Sequence, residues 1–319
     1  MLHFVLSRRG RGSIGRLCKY IGKTSRQHIR IHAYEDLRHR GYLPRGCFAF
    51  GSLEGRSSEQ RAQIAALAAR IRASGPSVRV LNDPARVMTR YELLRMLHER
   101  GINEFDVYRL DEARSPKRYP VFLRRENDHQ GNITPLLQSE EEFQLAVAAQ
   151  GHRRSDTLAV EFVDTSEPDG VYRKYSAMIV GGAVFPAHLF SSRQWMVKLA
   201  EYDVPDYDIE MKFIETNPHR EQLESVARIA GIEWGRIDYG IRDGRVQIFE
   251  INTNPMILTA VGLSMLERRP TLDKMFAPIW AAMVELAKAA PSGRRIPIAD
   301  LPGYRPPGWR RTWNRLFTR

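Results

Sequence analysis

The chain has 319 residues, of which 43% are hydrophobic and 27% are charged, a balance typical of folded globular proteins and not of disordered chains. No apolar run approaches the length of a membrane span, and the apolar stretch at the start is too short for a signal peptide. The only cysteines, Cys18 and Cys47, lack metal-site spacing, so we predict reduced thiols in a cytoplasmic protein.

The net charge of +12 is concentrated at the two ends of the chain. Residues 1–40 carry a formal charge of +8 and residues 291–319 carry +6, which leaves −2 for the 250 residues between them. Basic ends indicate an acidic partner or an anionic membrane surface, at which the protein would be peripheral. Solubilising or docking segments explain the same charge equally well. No aromatic-rich RNA motif or recognition-helix pattern supports nucleic acid as a partner.

The first third of the chain shows an alternation of predicted strands and helices. Residues 1–40 have no clean hydrophobic period, and we expect them to be ordered only by docking. Beyond them we predict strands over 46–50 and 78–81 and helices over 57–74 and 89–100. This order predicts a small open sheet covered by helices.

The remaining elements are mostly helices that lead to one conspicuous hairpin. A capping box at Ser139 and Glu142 predicts a helix that ends near residue 151. A second helix over 219–230 comes directly before two short strands. A third helix over 272–289 carries an apolar stripe, which indicates packing in a core.

The most informative segment is 236–255, where apolar and polar residues alternate on both sides of Asp243-Gly244. Side chains on a strand alternate between faces, so the length of the turn decides which residues share a face. A loop of three residues ending in Gly244 places one polar set together, namely Arg236, Asp238, Glu250 and Asn252. The opposite face then carries an apolar set suited to a core, namely Ile237, Tyr239, Phe249 and Ile251.

The polar face of this hairpin predicts a metal site. Two carboxylates and an amide oxygen beside an arginine are hard ligands, which suit Mg²⁺ held together with phosphate oxygens. The alternative is an exposed hairpin whose charges are solvated. We favour the metal site, because charged groups seldom lie so regularly beside core residues without partners.

Arg-x-Asp on one strand followed by Glu-x-Asn-x-x-Pro on the next resembles the metal-binding end of the ATP-grasp superfamily. Its members include D-alanine–D-alanine ligase, glutathione synthetase and ligases that add glutamate to protein or peptide ends. The resemblance implies that Asp238, Glu250 and Asn252 bind Mg²⁺ (or Mn²⁺), with Glu250 bridging two metals. It also implies that Arg236 lies near the transferred phosphate. Met256 stands where the family usually has glycine, so substrate contacts at that position are not carried over.

Weaker similarities upstream imply a nucleotide site. Arginine stands at both positions where the family has nucleotide-contacting lysines, the loop 127–131 resembles the one that closes over phosphates, and 158–163 resembles the hinge that holds adenine. The resemblance assigns nucleotide contacts to Arg90, Arg124, His129, Gly131, Glu161, Phe162 and Val163. A solvated loop histidine is an equally good interpretation of His129.

Two further cations are expected to act on the reacting groups. The hairpin-like segment 172–182 resembles one in which an arginine meets substrate or phosphate, and we choose Arg173 there, with Lys174 in reserve. Lys198 lies where some relatives place a lysine that reaches the γ-phosphate. Taken singly, Lys198 is typical of a surface lysine.

The resemblance implies an α/β (α+β) fold of the ATP-grasp type, in which a small N-terminal α/β lobe precedes two α+β subdomains that clasp ATP. We divide the chain into a basic N-terminal segment (1–45), an N-terminal lobe (46–115), a small ATP-grasp lobe (116–165), a C-terminal ATP-grasp lobe with the metal site (166–290) and a basic Pro/Arg/Trp tail (291–319).

The function implied is that of an ATP- and Mg²⁺-dependent ligase, which forms a C–N bond between a carboxylate and an amine through an acyl phosphate and releases ADP. Its substrates would be small molecules or peptides, and a homo-oligomer stays open because related ligases are often dimers or tetramers. An ATP-grasp kinase that phosphorylates a hydroxyl would use the same metals. A catalytically weak nucleotide-binding scaffold is a third interpretation. It is favoured by arginine at both positions where the family has lysine.

Overall fold

The computed structural model describes residues 1–112, 114–128, 131–197, 206–257, 269–290 and 293–302. Within these ranges, three main sheets and their helices form an N-terminal, a small central and a C-terminal lobe. No helix in this part of the chain is long and apolar enough to cross a membrane. One parallel and two antiparallel sheets in a single chain match the α/β (α+β) class that the sequence predicts.

The N-terminal lobe contains β1 (Leu2–Leu6), α1 (Arg11–Ile21), α2 (Ser25–His28), β2 (Ile29–Ala33), α3 (Tyr34–Leu37), β3 (Tyr42–Leu43), β4 (Cys47–Phe50), α4 (Ser58–Ala73), β5 (Val80–Leu81) and α5 (Arg90–Glu99). Four of its strands form a parallel sheet in the order β2-β1-β4-β5. The elements predicted over 46–100 are confirmed to within two residues at each end. Ser57 and Thr89 begin their helices with capping boxes, which makes those boundaries readable from the sequence.

The first 40 residues differ from the expectation of a segment ordered only by docking. Strand β1 lies between β2 and β4, and all five of its residues are buried. A strand inside a parallel sheet is covered on both faces, so it is apolar throughout and shows no period of two. Periodicity therefore could not reveal Leu2–Leu6, and the N-terminal sheet begins inside the segment that the sequence assigns to a separate basic region.

The small lobe contains β6 (Val107–Arg109), β7 (Val121–Arg125), α6 (Glu140–Ala148), a 3-10 helix (Gly151–Asp156) and β8 (Thr157–Glu161). Its three strands are antiparallel in the order β6-β8-β7. The helix predicted from the capping box is confirmed, with the Ser139 hydroxyl accepting a hydrogen bond from the amide of Glu142.

The C-terminal lobe contains β9 (Tyr172–Val180), β10 (Ala183–Ser192), α7 (Tyr207–Thr216), α8 (Arg220–Ala230), β11 (Trp234–Arg242), β12 (Arg245–Asn252) and α9 (Arg269–Lys288). Its antiparallel sheet has the order β10-β9-β11-β12. A last strand, β13 (Ile296–Pro297), pairs with β3 of the first lobe. The stripe on α9 is in the core as predicted, since Phe276, Ile279 and Met283 are almost wholly buried.

Asn82 joins the N-terminal and C-terminal sheets through four hydrogen bonds. Its Nδ2 donates to the carbonyls of Phe50 (2.8 Å) and Trp234 (2.6 Å). Its Oδ1 accepts from the amides of Glu233 (2.8 Å) and Trp234 (2.9 Å). The residue is fully buried with a φ of 56°, a left-handed conformation that asparagine tolerates better than most residues. The end of β4 and the start of β11 are therefore held at one fixed separation.

The β11–β12 hairpin places the predicted polar set on one face. Its register pairs Arg236 with Asn252 and Asp238 with Glu250. The loop is Asp243-Gly244 alone, two residues instead of the predicted three, and both have positive φ (49° and 73°), as a type I′ turn requires. A bulge beside Asp238 then shifts the register by one residue and restores the predicted facing.

The same bulge makes one core assignment wrong. Phe249 was expected on the core face, but it lines the cleft described below and packs against the cluster that contains Leu94 and Phe105. Asn103 holds the bulge in place. Its Nδ2 donates to the carbonyl of Ile248 (2.9 Å), and its Oδ1 accepts from the amide of the same residue (2.8 Å). This contact joins residues 145 positions apart in the sequence, so a local pattern carries no trace of it.

Candidate active cleft

A cleft with a cavity volume of about 220 Å³ lies between the small lobe and the C-terminal lobe. One end is apolar, with walls formed by Leu94, Phe105, Val160, Val163 and Phe249. The other end carries charged side chains from β7, β9, β11 and β12. Apolar walls with a few convergent polar groups are typical of small-molecule sites.

Trp195 closes the apolar part of the cleft with two aromatic contacts. Its ring centroid lies 5.1 Å from that of Phe122 on β7 and 5.6 Å from that of Phe162. Both distances fall within the range of favourable aromatic pairs. The sequence offered no reason to select Trp195 or Phe122, because their contact depends on how the two lobes face each other.

The predicted hinge residues line the cleft, but in different ways. The amide of Phe162 donates to the carbonyl of Pro120 (2.9 Å), whereas the amide of Val163 donates to no acceptor in the described ranges. The carboxylate of Glu161 accepts from the hydroxyl of Tyr108 (2.9 Å) and from Arg118 Nη2 (2.9 Å). This carboxylate therefore holds the small lobe together, whereas Val163 lines the cleft with an amide that is open to a hydrogen bond.

The three predicted metal ligands lie together at the polar end. Asp238 and Asn252 are 4% and 5% exposed, and Asn252 Nδ2 donates to Glu250 Oε1 (2.9 Å). The Oδ1 of Asn252 is buried and receives no hydrogen bond within the described residues. A buried acceptor without a donor is costly, and a cation beside it would remove the cost. The donor set therefore fits a hard cation such as Mg²⁺.

A metal at this point would also need oxygens from a ligand. Within the described part of the chain, no three His, Cys, Asp or Glu side chains gather around one point. Mg²⁺ is commonly held by one or two carboxylates together with substrate phosphates, and it is seldom coordinated by protein ligands alone. Two carboxylates and one amide match the protein's share of such a site.

Asp238 is held by two neighbours on the same face. The guanidinium of Arg236 binds the carboxylate in a bidentate pair, with Nε donating to Oδ1 (2.6 Å) and Nη2 donating to Oδ2 (2.8 Å). Ser176 donates its hydroxyl to Oδ1 (2.9 Å) from the directly paired position on β9. Burial acts to lower the pKa of Arg236, but the attraction of Asp238 outweighs it and the pKa is raised. The sequence missed Ser176, because its pairing with Asp238 is a matter of register between distant strands.

Arg90 and Arg124 meet at Glu250. Arg90 Nη2 lies 2.6 Å and Arg124 Nη2 lies 2.8 Å from Glu250 Oε2. Both guanidiniums are almost buried, with side chains 6% and 12% exposed. The structure thus brings both predicted nucleotide-contacting arginines to the predicted metal ligand, from α5 and from β7.

The structure separates Arg173 from Lys174. Arg173 is bound by three carboxylates, at 2.8 Å from Glu167, 2.7 Å from Asp169 and 2.8 Å from Asp206. Lys174 has the strand parity of Ser176 and therefore shares the face of Asp238. The guanidinium of Arg173, our first choice for the reacting groups, is bound by these carboxylates, although Arg173 also lines the cleft, and the reserve Lys174 lies on the face of Asp238. The role of either cation stays a prediction.

Lys174 is half-buried in the cleft. Its Nζ donates to the carbonyl of Val197 (2.8 Å). Burial lowers the pKa of Lys174, while Asp238 acts to raise it again. An ammonium that has lost water and has few compensating carboxylates binds an incoming anion strongly.

Of the remaining predicted residues, one lines the cleft and two lie outside the described residues. Gly131 lines the cleft with a φ of 96°, a conformation open to glycine and strained for other residues. His129 and Lys198 lie outside the described residues. Asn132, which the sequence did not select, lines the cleft beside Gly131.

Sequence comparison finds no matching family model and no matching curated protein. Solved structures do match. The D-alanine–D-alanine ligase from Coxiella burnetii aligns with a TM-score of 0.52 at 12% identity, over 90% of this chain and 93% of that one. The D-alanine–D-alanine ligase from Bacillus anthracis complexed with ATP aligns with a TM-score of 0.50 at 11% identity, over 90% and 99%.

A RimK domain protein ATP-grasp from Sphaerobacter thermophilus aligns at 16% identity with a TM-score of 0.49, over 91% of this chain and 99% of that one. At such identities a likeness speaks for the fold, and the function has to be argued from the site. Together with the arrangement of lobes and strands described above, the matches establish that this chain has the ATP-grasp fold.

Proposed function

We propose that the protein is an ATP- and Mg²⁺-dependent ligase that joins a carboxylate to an amine through an acyl phosphate. The observation that carries the proposal is the polar end of the cleft. There Asp238 and Glu250 line the cleft together with Lys174 and Arg124, and Asn252, whose buried Oδ1 has no hydrogen bond within the described residues, donates to Glu250. Carboxylates and cations around one point fit a ligand that brings both metal and phosphate.

The nucleotide would lie along the cleft with its base at the apolar end. Trp195 and Phe122 would cover the ring, and the backbone of Val163 would bind its edge. The phosphates would then extend toward Arg124 and Lys174. The named D-alanine–D-alanine ligase complexed with ATP has the same fold, which supports a nucleotide here.

When bound, Mg²⁺ would offset the charge that develops on the transferred phosphoryl group. Asp238, Glu250 and Asn252 would hold it, and Arg236 would keep Asp238 oriented. Lys174 would be drawn to the phosphoryl oxygens, because its ammonium is desolvated in the free protein.

The proposed reaction needs no nucleophile from the protein. A carboxylate oxygen of the first substrate attacks the γ-phosphorus, and the bond to the ADP oxygen breaks. The amine of the second substrate then attacks the acyl carbon, a C–N bond forms, phosphate leaves, and the amine loses a proton to solvent or phosphate. The enclosing walls of the cleft would keep water from the acyl phosphate until the amine arrives.

Calorimetric titration of ATP with and without Mg²⁺ tests the proposal on wild type, Glu250→Gln and a matched control. Asp243→Asn is that control, since it makes the same change at an 86% exposed carboxylate in the turn of the same hairpin. We expect Mg²⁺-dependent binding in wild type and Asp243→Asn and its loss in Glu250→Gln. Equal binding by Glu250→Gln would overturn the metal assignment.

The reaction type is decided in a second step. Pairs of carboxylates and amines are screened for ADP release, and the products are identified by mass. An amide supports the ligase, whereas a phosphorylated hydroxyl would identify a kinase that uses the same cleft. Nucleotide binding without release of ADP from any pair would favour a scaffold.

A further inference from the structure

Arg90 makes more contacts with the protein backbone than a nucleotide-binding residue needs. Its Nη1 donates to three carbonyls of one loop, those of Arg125 (3.1 Å), Glu126 and Asp128 (3.1 Å). Its Nη2 donates to Glu250 Oε2 at 2.6 Å. One guanidinium therefore connects the loop that leads to Gly131 with the predicted metal ligand.

Arg90 is well placed to act as a fixed point. It is the first residue of α5, directly after the N-cap Thr89, whose capping box with Glu92 defines the start of the helix. The helix buries Leu93 and Leu94 in the body of the protein. The helix fixes the backbone of Arg90, and its side chain is only 6% exposed and hydrogen-bonded at both ends of its guanidinium, so the carbonyls it binds are held in place too.

The rest of the loop is tied on its other side. Glu126 is bound by Arg109 at 3.0 Å, and its amide donates to the carbonyl of Asp156 (2.9 Å). Asn127 Oδ1 accepts from the amide of Gly55 in the N-terminal lobe (3.0 Å). These contacts reach the loop from outside the cleft, whereas Arg90 alone among them also touches the predicted metal ligand.

We propose that Arg90 is a positioning residue that couples the order of the loop 125–128 to the placement of Glu250. This rests on the proposed function for its purpose, since the loop would cover phosphates and Glu250 would bind metal. The structural core of the proposal, that Arg90 holds the loop, applies to the free protein and does not depend on a nucleotide.

The choice of arginine follows from this role. A guanidinium presents several donors in a rigid planar fork, so it can serve backbone carbonyls on one side and a carboxylate on the other. A lysine ammonium is a single point and cannot span the two. Arg124 also donates to Glu250 Oε2, but within the described residues its side chain makes no hydrogen bond to the loop carbonyls. A change at Arg124 is therefore the matched control.

The test compares Arg90→Lys with Arg124→Lys by hydrogen–deuterium exchange in the free protein. Both changes keep the positive charge and remove a guanidinium contact from Glu250, but only Arg90→Lys removes the hydrogen bonds to the loop carbonyls. We expect amide exchange over 125–128 to become about tenfold faster in Arg90→Lys and to stay near wild type in Arg124→Lys. Exchange in α5 and β12 should not change in either variant.

Nucleotide affinity and thermal unfolding complete the experiment. Arg90→Lys should weaken ATP binding by about tenfold with a small change in Tm, since a merely structural role would lower Tm without a loop-specific effect. Loop exchange in Arg90→Lys equal to wild type, or raised equally by Arg124→Lys, would overturn the inference. If wild type binds no ATP, the proposed function fails, while the exchange result still decides whether Arg90 holds the loop.

Discussion

Arg173 and Lys174 are consecutive residues of β9 that lie on opposite faces of the strand, and their charged groups have different partners. On one face Arg173 is 5% exposed and is bound by Glu167, Asp169 and Asp206. Lys174, on the other face, lines the cleft as Arg173 also does, and its ammonium donates to the carbonyl of Val197 and lies 6.0 Å from the ring centroid of Phe190. Arg173 has three carboxylate partners for its single charge, and Lys174 has fewer.

The charge balance around the cleft points the same way. Lys174 and the arginines at 90, 124 and 236 lie near the carboxylates of Asp238 and Glu250, and Glu54 and Glu126 also act on Arg90. A desolvated ammonium such as that of Lys174 is unfavourable until an anion arrives. We therefore expect Arg173 to stabilise the lobe and Lys174 to bind an anionic ligand.

The largest expected effect is on turnover in Lys174→Met. Removing the cation that we propose for the transferred phosphoryl group should lower kcat/KM by on the order of 100-fold, with little change in Tm. The exposed Lys212→Met is the control for loss of a lysine from the same lobe. Steady-state ADP release measures the effect, and a variant as active as wild type would break the proposed contrast between the two faces.

Arg173→Met should give the opposite pattern. Its loss leaves three carboxylates without their shared cation, and we expect the free energy of unfolding to fall by about 2–3 kcal/mol, less than for a fully buried pair because Glu167 and Asp169 are partly exposed. Urea unfolding measures it, and ATP affinity per folded molecule should stay near wild type. Loss of affinity without loss of stability would return Arg173 to the site.

The two faces should also differ in their response to alkaline pH. Burial lowers the pKa of Lys174 below the usual 10.5, so its ammonium loses its proton at a lower pH than that of an exposed lysine. ATP affinity should then decline as pH rises through that lowered pKa, by up to about tenfold per pH unit. Lys174→Arg should remove the decline, because arginine stays charged. Calorimetry across pH 7–10 would measure it; a decline that persists unchanged in Lys174→Arg would assign the titration to another group.

The smallest expected effect is that of Ser176→Ala. It removes one hydrogen bond to Asp238 and leaves both prongs of Arg236 in place. We expect a loss of about 1 kcal/mol in Mg²⁺-dependent ATP binding, or about fivefold in Kd. Ser192→Ala, at a buried serine near the end of β10, is the matched control. Equal effects from both serines would show that the Asp238 contact is not what matters.

The sequence alone determined the features that depend on neighbours along the chain. Alternation along each strand put Asp238 on one polar row and Glu250 and Asn252 on another, because side chains alternate between faces. Their facing across the hairpin depends on a two-residue turn and a bulge that Asn103 holds, and the sequence did not predict either. Capping boxes located the starts of α4 and α5, because a cap and its partner lie three residues apart.

Only the tertiary structure decided the features that depend on distant partners. Whether Arg173 or Lys174 faces Asp238 is set by the register of β9 against β11, about 60 residues away. The strand Leu2–Leu6 carries no alternation, since it is covered on both faces. The convergence of Arg90 and Arg124 on Glu250 joins three separate elements. A pattern read along the chain records local periodicity, whereas register, burial on two faces and contacts between lobes are fixed only when the chain packs.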